Sequence, residues 1–243
     1  MSDTLNKIPK SKSGYTWRIV CSEIEAPGVK SLYLEADAER PSFIAGQYLT
    51  VRLANVNPIE GRAYSISSAP HEALVRITIK QLGSFSSTLS ALQPGETIIT
   101  SAPYGFFYPE PDGTSPLVFI AGGIGITPIL NIIKDLTERK DERPLRLFYS
   151  NQTEEGIVFR GELEELAAKN PRLSIHYFIT REVPTLPNTI PRRMAAVDLD
   201  HFVPEAAEAE YFLCGSMDFT KSLWKTLREK GIKQHQIYTE GFY

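Results

Sequence analysis

Residues 61 to 70 read GRAYSISSAP and combine a cation, an aromatic ring and several hydroxyls with few apolar side chains. In an extended strand, alternate residues share a face, so Arg62 and Tyr64 would project together. Ala63 and Ser65 would project from the other face. A charge, a ring and a nearby hydroxyl suit a flat polar ligand that carries a phosphate. The alternative is an edge strand that leads into a Ser-Pro turn, and this stretch alone favours neither interpretation.

A glycine-rich turn follows the apolar run LVFI, in the sequence LVFIAGGIGITPIL. Gly122, Gly123 and Gly125 lie between a predicted strand and a predicted helix whose first turn contains Thr127 and Pro128. A helix start offers unpaired N–H groups and a positive dipole end, and glycines let a phosphate approach the backbone. The pattern differs from G-x-G-x-x-G because Thr-Pro follows the third glycine. It predicts nucleotide binding, with a merely tight turn as the alternative.

A second candidate anion site lies in KQLGSFSSTLSAL. Gly83 and the hydroxyls of Ser84 and Ser86 precede a short helix-like stretch, and Lys80 stands just before them. A serine there could simply cap the helix. The same exposed amides could instead bind a second phosphate. Together with Arg62, two phosphate sites would mean two nucleotides, one in each half of the chain.

Two further candidates stand near the carboxyl end. Cys214 ends the apolar run YFLCGS at the strand edge where ligands of open α/β sheets bind, although a buried cysteine is often only a core residue. The chain closes with EGFY, which places Glu240, Phe242 and Tyr243 after a predicted strand. Two aromatic residues in this position indicate a tail that docks on the protein.

The candidate residues fall in two regions with different predicted patterns of secondary structure. Up to about residue 110, short β-rich runs alternate with turn signals, which predicts an antiparallel barrel or sandwich. After PEPDGTSP, strands alternate with amphipathic helices, which predicts a parallel α/β sheet. We therefore expect two domains, residues 1–110 and residues 111–243.

Composition excludes several classes of function. The 243 residues have a net charge of −3, which argues against nucleic acid or an anionic membrane as partners. Two cysteines and four scattered histidines do not suit an iron–sulfur cluster or a zinc site, so we expect no metal. No apolar run has membrane-spanning or signal-peptide character, and we expect a cytoplasmic protein.

Four motifs in series resemble the ferredoxin–NADP reductase family of flavoprotein oxidoreductases. They are Arg62-Ala63-Tyr64-Ser65, Gly83-x-x-Ser86, Gly122-Gly123-x-Gly125-x-Thr127-Pro128 and Cys214-Gly215, and the likeness runs from about residue 15 to the end. The resemblance implies a flavin-binding antiparallel β-barrel followed by an NAD(P)H-binding α/β domain. It also implies bound FAD, with FMN less favoured. The cysteine-rich segment of members fused to an iron–sulfur domain is absent from this chain.

The resemblance also implies roles for these residues. Arg62 would pair with the flavin pyrophosphate, Tyr64 would stack on the isoalloxazine, and Ser65 would approach flavin N5. Ala63 belongs to the same motif, and Lys80, Gly83, Ser84 and Ser86 would lie in the segment around the pyrophosphate. The glycine turn and Thr127 would bind the nicotinamide dinucleotide. Cys214 would flank the nicotinamide, Glu240 would relay a proton, and Phe242 or Tyr243 would cover the ring.

Coenzyme and acceptor are less constrained. YSNQTEEG, after the second α/β strand, offers no cation for a 2′-phosphate before Arg160, which favours NADH, although Arg181 could serve NADPH. The implied acceptor is a separate protein such as a ferredoxin, a flavodoxin or an oxygenase component. The alternatives are a reductase of free flavin and a non-catalytic flavin-binding subunit.

Overall fold

A computed structural model describes residues 14–187 and 189–242 of the chain. The predicted binding residue Tyr243 lies outside the described residues. Within these ranges the chain forms two six-stranded sheets, the first antiparallel and the second parallel. The predicted fold class is therefore confirmed.

The antiparallel sheet has the strand order β4-β3-β6-β1-β2-β5. An isolated bridge between Ile66 and Ile77 joins its two edges, so the sheet closes as a barrel rather than opening as a sandwich. The elements of this barrel half are, in chain order, β1 (Tyr15–Ala26), β2 (Val29–Ala36), β3 (Tyr48–Arg52), β4 (Arg62–Ser65), β5 (Val75–Lys80), the helix α1 (Ser84–Ala91) and β6 (Thr97–Thr100).

Alternation of apolar and polar residues explains why this sheet closes on itself. Trp17 and Ile19 of β1 are buried while Arg18 between them is exposed. Inside the barrel the Trp17 indole donates to Thr100 Oγ1 at 2.8 Å, so the one polar atom of that large side chain is satisfied. Removal of these apolar side chains from water is the main force that holds the barrel together.

The parallel sheet has the strand order β10-β9-β8-β7-β11-β12, with helices between its strands. Its central strand β7, the continuous apolar run LVFIAG, is covered on both sides. The elements are β7 (Leu117–Gly122), α2 (Ile126–Glu138), β8 (Leu145–Asn151), α3 (Arg160–Lys169), β9 (Leu173–Ile179), β10 (Thr189–Ile190), α4 (Ala196–Phe202), β11 (Glu210–Ser216), α5 (Met217–Glu229) and β12 (Ile237–Phe242).

The two sheets share a buried contact. Phe107, which follows the barrel, packs edge-on against Phe212 of β11 with ring centroids 5.4 Å apart. Ala45 of the barrel half belongs to the same apolar cluster. Because apolar side chains of both halves are removed from water together, the halves form one packed unit, and the predicted boundary at residue 110 stays a prediction. Among the described residues, no helix is long and apolar enough to cross a membrane.

Candidate functional site

A cavity of about 510 Å³ opens between the barrel and the carboxyl edge of the parallel sheet. The barrel contributes β4 and the segment from Leu82 to Ser86, together with Lys80. The second half contributes Ile124, Thr127, Gly241 and Phe242. Residues that are far apart in sequence therefore meet in one cavity.

Strand β4 supplies a cation, a ring and a hydroxyl to this cavity. Arg62 is exposed and forms no ion pair with any residue in the described part of the chain, whereas Ser65 is buried. The Tyr64 ring is stacked on Phe85, with centroids 6.5 Å apart and planes 21° apart. Burial raises the pKa of Tyr64 to about 12, although nearby Arg62 opposes this. The Tyr64 side chain is therefore a neutral phenol at physiological pH.

The start of α1 forms a second wall. The Ser86 hydroxyl accepts from the amides of Leu82 at 2.9 Å and Gly83 at 3.1 Å, and donates to the Gly83 carbonyl. Ser86, in the first turn of α1, therefore bonds back to the backbone around the N-cap residue Gly83, which has no side chain of its own to cap the helix. A Cβ placed on Gly83 would meet nothing within 4 Å, so the backbone here is open to a ligand. Lys80, which also lines the cavity, forms no ion pair within the described ranges.

The three glycines after β7 differ in what surrounds them. Gly123 has a φ of +53° and open space where a Cβ would stand. A Cβ on Gly125 would overlap the Cys214 carbonyl, and one on Gly122 would press on the Phe219 ring at 3.0 Å. Close packing of backbone and ring explains Gly122 and Gly125 without a ligand, and their predicted contact with a pyrophosphate stays a prediction.

A buried tyrosine holds this turn in place. The Tyr149 hydroxyl donates to the Gly123 carbonyl at 3.0 Å and accepts from the Val158 amide at 3.2 Å. Burial raises the pKa of Tyr149 well above the usual value of a tyrosine, so both bonds persist with a neutral phenol. Thr127 Oγ1 donates to the Ile124 carbonyl at 3.0 Å. The turn that leads into α2 is thus fixed from both sides before any ligand binds.

Comparison with known proteins assigns each half of the chain to a domain family. Residues 24–108 match the oxidoreductase FAD-binding domain, and residues 119–225 match the oxidoreductase NAD-binding domain. The chain belongs to the ferredoxin–NADP reductase family of flavoproteins. Both matched domains are those of an oxidoreductase, so the chain combines an FAD-binding barrel with a nicotinamide dinucleotide-binding sheet.

Individual relatives agree with this family. A flavohemoprotein of Bacillus subtilis (strain 168) is 31% identical over 92% of this chain and 58% of the relative. The terephthalate 1,2-dioxygenase reductase component 1 of Comamonas sp is 30% identical over 65% of this chain and 47% of the relative. The chain thus spans less than two thirds of either relative. A ferredoxin NADP⁺ reductase from Neisseria gonorrhoeae with bound FAD and NADP has the same fold, at a TM-score of 0.81 and 23% identity, covering 96% of this chain and all of that one.

The cavity of this protein fits the cofactor of its family. Arg62 and Lys80, which form no ion pair with residues 14–187 or 189–242, match the two negative charges of a pyrophosphate. The neutral Tyr64 ring offers an apolar face for a flat heterocycle. Open backbone at Gly83 leaves room for phosphate oxygens at the start of α1. These residues could hold FAD in the cleft.

Cys214 and Glu240 pair with each other in the register of β11 and β12, and neither side chain lines the cavity. Cys214 is fully buried, and burial together with the Glu240 charge raises its pKa well above the usual value. Burial also raises the pKa of the half-buried Glu240 to about 7. The thiol is therefore neutral, while the carboxyl group can take up or release a proton near neutral pH. Their predicted catalytic roles stay predictions.

Sequence reasoning missed a set of polar residues between the two halves. Asn131 of α2 is fully buried, and its Nδ2 donates to the Ile66 carbonyl at 2.9 Å. Buried Arg76 of β5 pairs with Glu162 of α3 at 2.9 Å, and Lys134 pairs with the same carboxylate at 2.6 Å. The available signal in the sequence was the presence of two polar residues, Asn131 and Lys134, inside the otherwise apolar helix run ILNIIKDL.

Proposed function

We propose that this reductase oxidises NADH with bound FAD and passes the electrons to a separate redox protein. The cavity whose walls come from both halves carries this proposal, because a cleft between an FAD-binding half and an NAD-binding half can bring a flavin and a nicotinamide together. FAD held in this cavity would supply the redox chemistry, since a flavin can take up a pair of electrons and release them singly or as a pair. The residues of the chain bind and orient the two cofactors and exclude water from between them.

On the barrel side, we assign the cations to the FAD pyrophosphate. Arg62 and Lys80 line the same cavity and have no protein counter-ion in the described part of the chain. Ser84 and Ser86 stand at the start of α1, whose unpaired amides suit the same phosphates. Tyr64 would stack on the isoalloxazine. Ser65 would donate to flavin N5, and the small side chain of Ala63 would leave room for the ring.

On the sheet side, we assign the nicotinamide dinucleotide to the glycine turn. Gly123 offers the open backbone, and Thr127 lines the cavity at the first turn of α2. Gly122 and Gly125 would act through packing, because they let the turn lie against Phe219 and Cys214. Phe242 lines the cavity from the end of β12, where it would cover the flavin until the nicotinamide displaces it.

Glu240 would exchange the proton that accompanies electron transfer. Its pKa of about 7 lets the carboxyl group both hold and release a proton at physiological pH. Cys214 stands opposite it in the register of β11 and β12. Because the thiol is neutral and fully buried, we assign Cys214 to the backing of the nicotinamide site rather than to nucleophilic chemistry.

NADH is the preferred coenzyme in this proposal. Glu154 accepts from the Leu186 amide at 2.7 Å and from Thr185, so the loop after β8 is held against the loop after β9 by a carboxylate. Negative charge at this position disfavours a 2′-phosphate. Arg181 is exposed beside the same loop, with its amide 2.9 Å from the Gln152 carbonyl, and is the residue that would favour NADPH.

The acceptor would be a ferredoxin, a flavodoxin or an oxygenase component. The likeness to a terephthalate dioxygenase reductase component supports the last of these. The exposed free thiol of Cys21 is compatible with the reducing cytoplasm, where we place the protein.

An anaerobic titration tests the proposed function. The purified protein should be yellow, and NADH should bleach the flavin at close to one equivalent while NADPH acts more slowly. A colourless protein that oxidises NADH only with added riboflavin or FMN would indicate a reductase of free flavin. A flavin that stays oxidised with both coenzymes would indicate a non-catalytic subunit.

A further inference from the structure

The inner side of α2 carries polar residues toward the barrel. Thr127, Asn131 and Lys134 follow one another at intervals of four and three residues, which places them on one face of the helix. Thr127 lines the cavity, and Asn131 lies one turn farther from it. Helix α2 therefore links the wall of the cavity to the barrel through its own polar side chains.

The bond of Asn131 connects the two cofactor-binding elements directly. Its acceptor, the Ile66 carbonyl, belongs to the residue that follows Ser65, the last residue of β4. Both Asn131 and Ile66 are buried, at 0% and 1% exposure. Because a carbonyl can only accept, the amide nitrogen of Asn131 must face it. Water has no access there to replace the bond.

The side-chain oxygen of Asn131 shows that placing an amide here lowers the free energy of unfolding. Asn131 Oδ1 is buried without a hydrogen-bond partner in the described part of the chain. A leucine of similar size would avoid this orphaned acceptor, and a buried polar group in place of an apolar one destabilises the core unless its bonds are all made. An asparagine at this position is explained by the one bond across the interface.

An ion-pair network extends the same link. Lys134 pairs with Glu162 at 2.6 Å and also with Glu72 of the barrel half. Arg76 of β5 pairs with Glu162 at 2.9 Å and lies 4.5 Å from the centre of the Phe159 ring. Burial alone would raise the pKa of Glu162, but Arg76 and Lys134 outweigh it and lower that pKa below its usual value. The carboxylate therefore stays charged between two cations from different halves.

We infer that Asn131 is a positioning residue, which holds β4 and the start of α2 at a fixed separation and thereby sets the geometry between flavin and nicotinamide. The ion pairs of Arg76 with Glu162 and of Lys134 with Glu72 join the same two halves and support that hydrogen bond. The inference rests on the proposed function for its catalytic consequence. The fixed separation itself is a property of the protein without cofactors and is measured independently.

The test uses spin labels, one in each half. Cys21 is exposed on the barrel, Cys214 is fully buried, and Ser222→Cys adds a second accessible thiol on α5. Pulsed electron resonance on the apoprotein should give one narrow distance distribution. Asn131→Ala and the similarly sized Asn131→Leu should both broaden or shift it. Asn131→Leu leaves no cavity, so it separates loss of the donor from loss of packing and serves if the alanine variant does not fold.

Asn170→Ala is the matched control. Asn170 is also buried, and its Nδ2 donates to Thr137 Oγ1 at 3.1 Å. Thr137 belongs to α2, the helix that contains Asn131, but Asn170 and Thr137 both lie in the parallel-sheet half. This variant should lose stability without changing the distance distribution. An unchanged distribution in both Asn131 variants would overturn the inference, as would an equal broadening in Asn170→Ala.

The FAD-loaded protein gives the second readout. In Asn131→Leu, the rate of flavin bleaching by NADH should fall about tenfold to hundredfold, because small misplacements of reacting groups have effects of that size. The dissociation constant for NAD⁺, measured from the flavin difference spectrum, should change by less than about twofold, since Asn131 lies outside the cavity. A changed distance with an unchanged rate would remove the catalytic part of the inference. If wild-type flavin is not bleached, the proposed function fails while the distance measurement still decides the structural part.

Discussion

Cys214 and Glu240 stand directly opposite each other in the pairing of β11 with β12. The negative charge of Glu240 adds to burial in raising the pKa of Cys214, so the thiol stays protonated at any physiological pH. Cys21 on the barrel is exposed by contrast. In the folded protein, a thiol-specific disulfide reagent at pH 8 should therefore modify one cysteine quickly, and the second only after denaturant is added. Rapid reaction of both cysteines in the native state would contradict this arrangement.

The raised pKa of Glu240 predicts a pH-dependent stability. The folded protein holds this proton up to about pH 7, whereas the usual carboxyl pKa is 4.5, so the folded state binds the proton more tightly than the unfolded chain. Stability should therefore fall as the pH rises from about 4.5 through 7. Urea titrations at pH 4.5 and pH 8 give the difference in unfolding free energy between the two pH values. Glu240→Gln should make this difference smaller by about 1–3 kcal/mol. The exposed Glu208→Gln is the control and should leave the fall in place.

The two neighbouring glycines Gly123 and Gly125 should respond differently to alanine. Gly125→Ala places a methyl group on the Cys214 carbonyl and should cost at least about 3 kcal/mol in unfolding free energy. Gly123→Ala has open space and only the left-handed backbone to oppose it, which costs roughly 1–2 kcal/mol. Chemical denaturation measures both values, and equal costs would show that packing on Cys214 does not explain Gly125.

Arg62 should contribute to FAD affinity through its charge. Arg62→Ala should weaken FAD binding about 10–100-fold, because one or two charge-assisted hydrogen bonds are worth about 1.5–3 kcal/mol. Titration of the apoprotein with FAD, followed by flavin fluorescence, gives the affinity. Arg52→Ala removes an exposed arginine at the end of the neighbouring strand β3 and should change it little. A similar loss in both variants would mean that overall charge, rather than a contact of Arg62, attracts FAD.

Phe242 should compete with the nicotinamide. If its ring covers the flavin, Phe242→Ala removes a group that must move aside, and NAD⁺ should bind roughly 3–10-fold more tightly. The flavin difference spectrum gives this affinity. Phe106→Ala, at a position 86% exposed, removes an equal ring elsewhere and is the control. Unchanged NAD⁺ binding in Phe242→Ala would remove the covering role.

The architecture was predictable because periodicity depends on which faces are buried. The continuous apolar run LVFIAG predicts a strand buried on both sides, and β7 has these bounds. Strand β10, of two residues, and the seven-residue helix α4 were not predicted, since elements this short leave little periodic signal. Their positions depend on packing against the sheet, which no local pattern records.

The site was predictable where chemistry is concentrated in one stretch of chain. Arg62 and Tyr64 could be singled out because a cation and a ring in a strand are unusual, and both line the cavity. Asn131 could not, because its meaning comes from Ile66, which is 65 residues away in the chain. The three glycines looked alike in sequence, and only the tertiary neighbours of Gly125 separate packing from an open approach.

The hydrogen bond from Asn131 to Ile66 limits how this protein can be recombined. A chimera that joins this barrel to the sheet of a related reductase would keep every phosphate-binding motif, yet would lose the bond unless the incoming helix carried an amide at the same turn. Exchange of whole domains should therefore alter the electron-transfer rate even where both nucleotides still bind. Placing an asparagine at the position of Asn131 in the incoming helix should restore the rate.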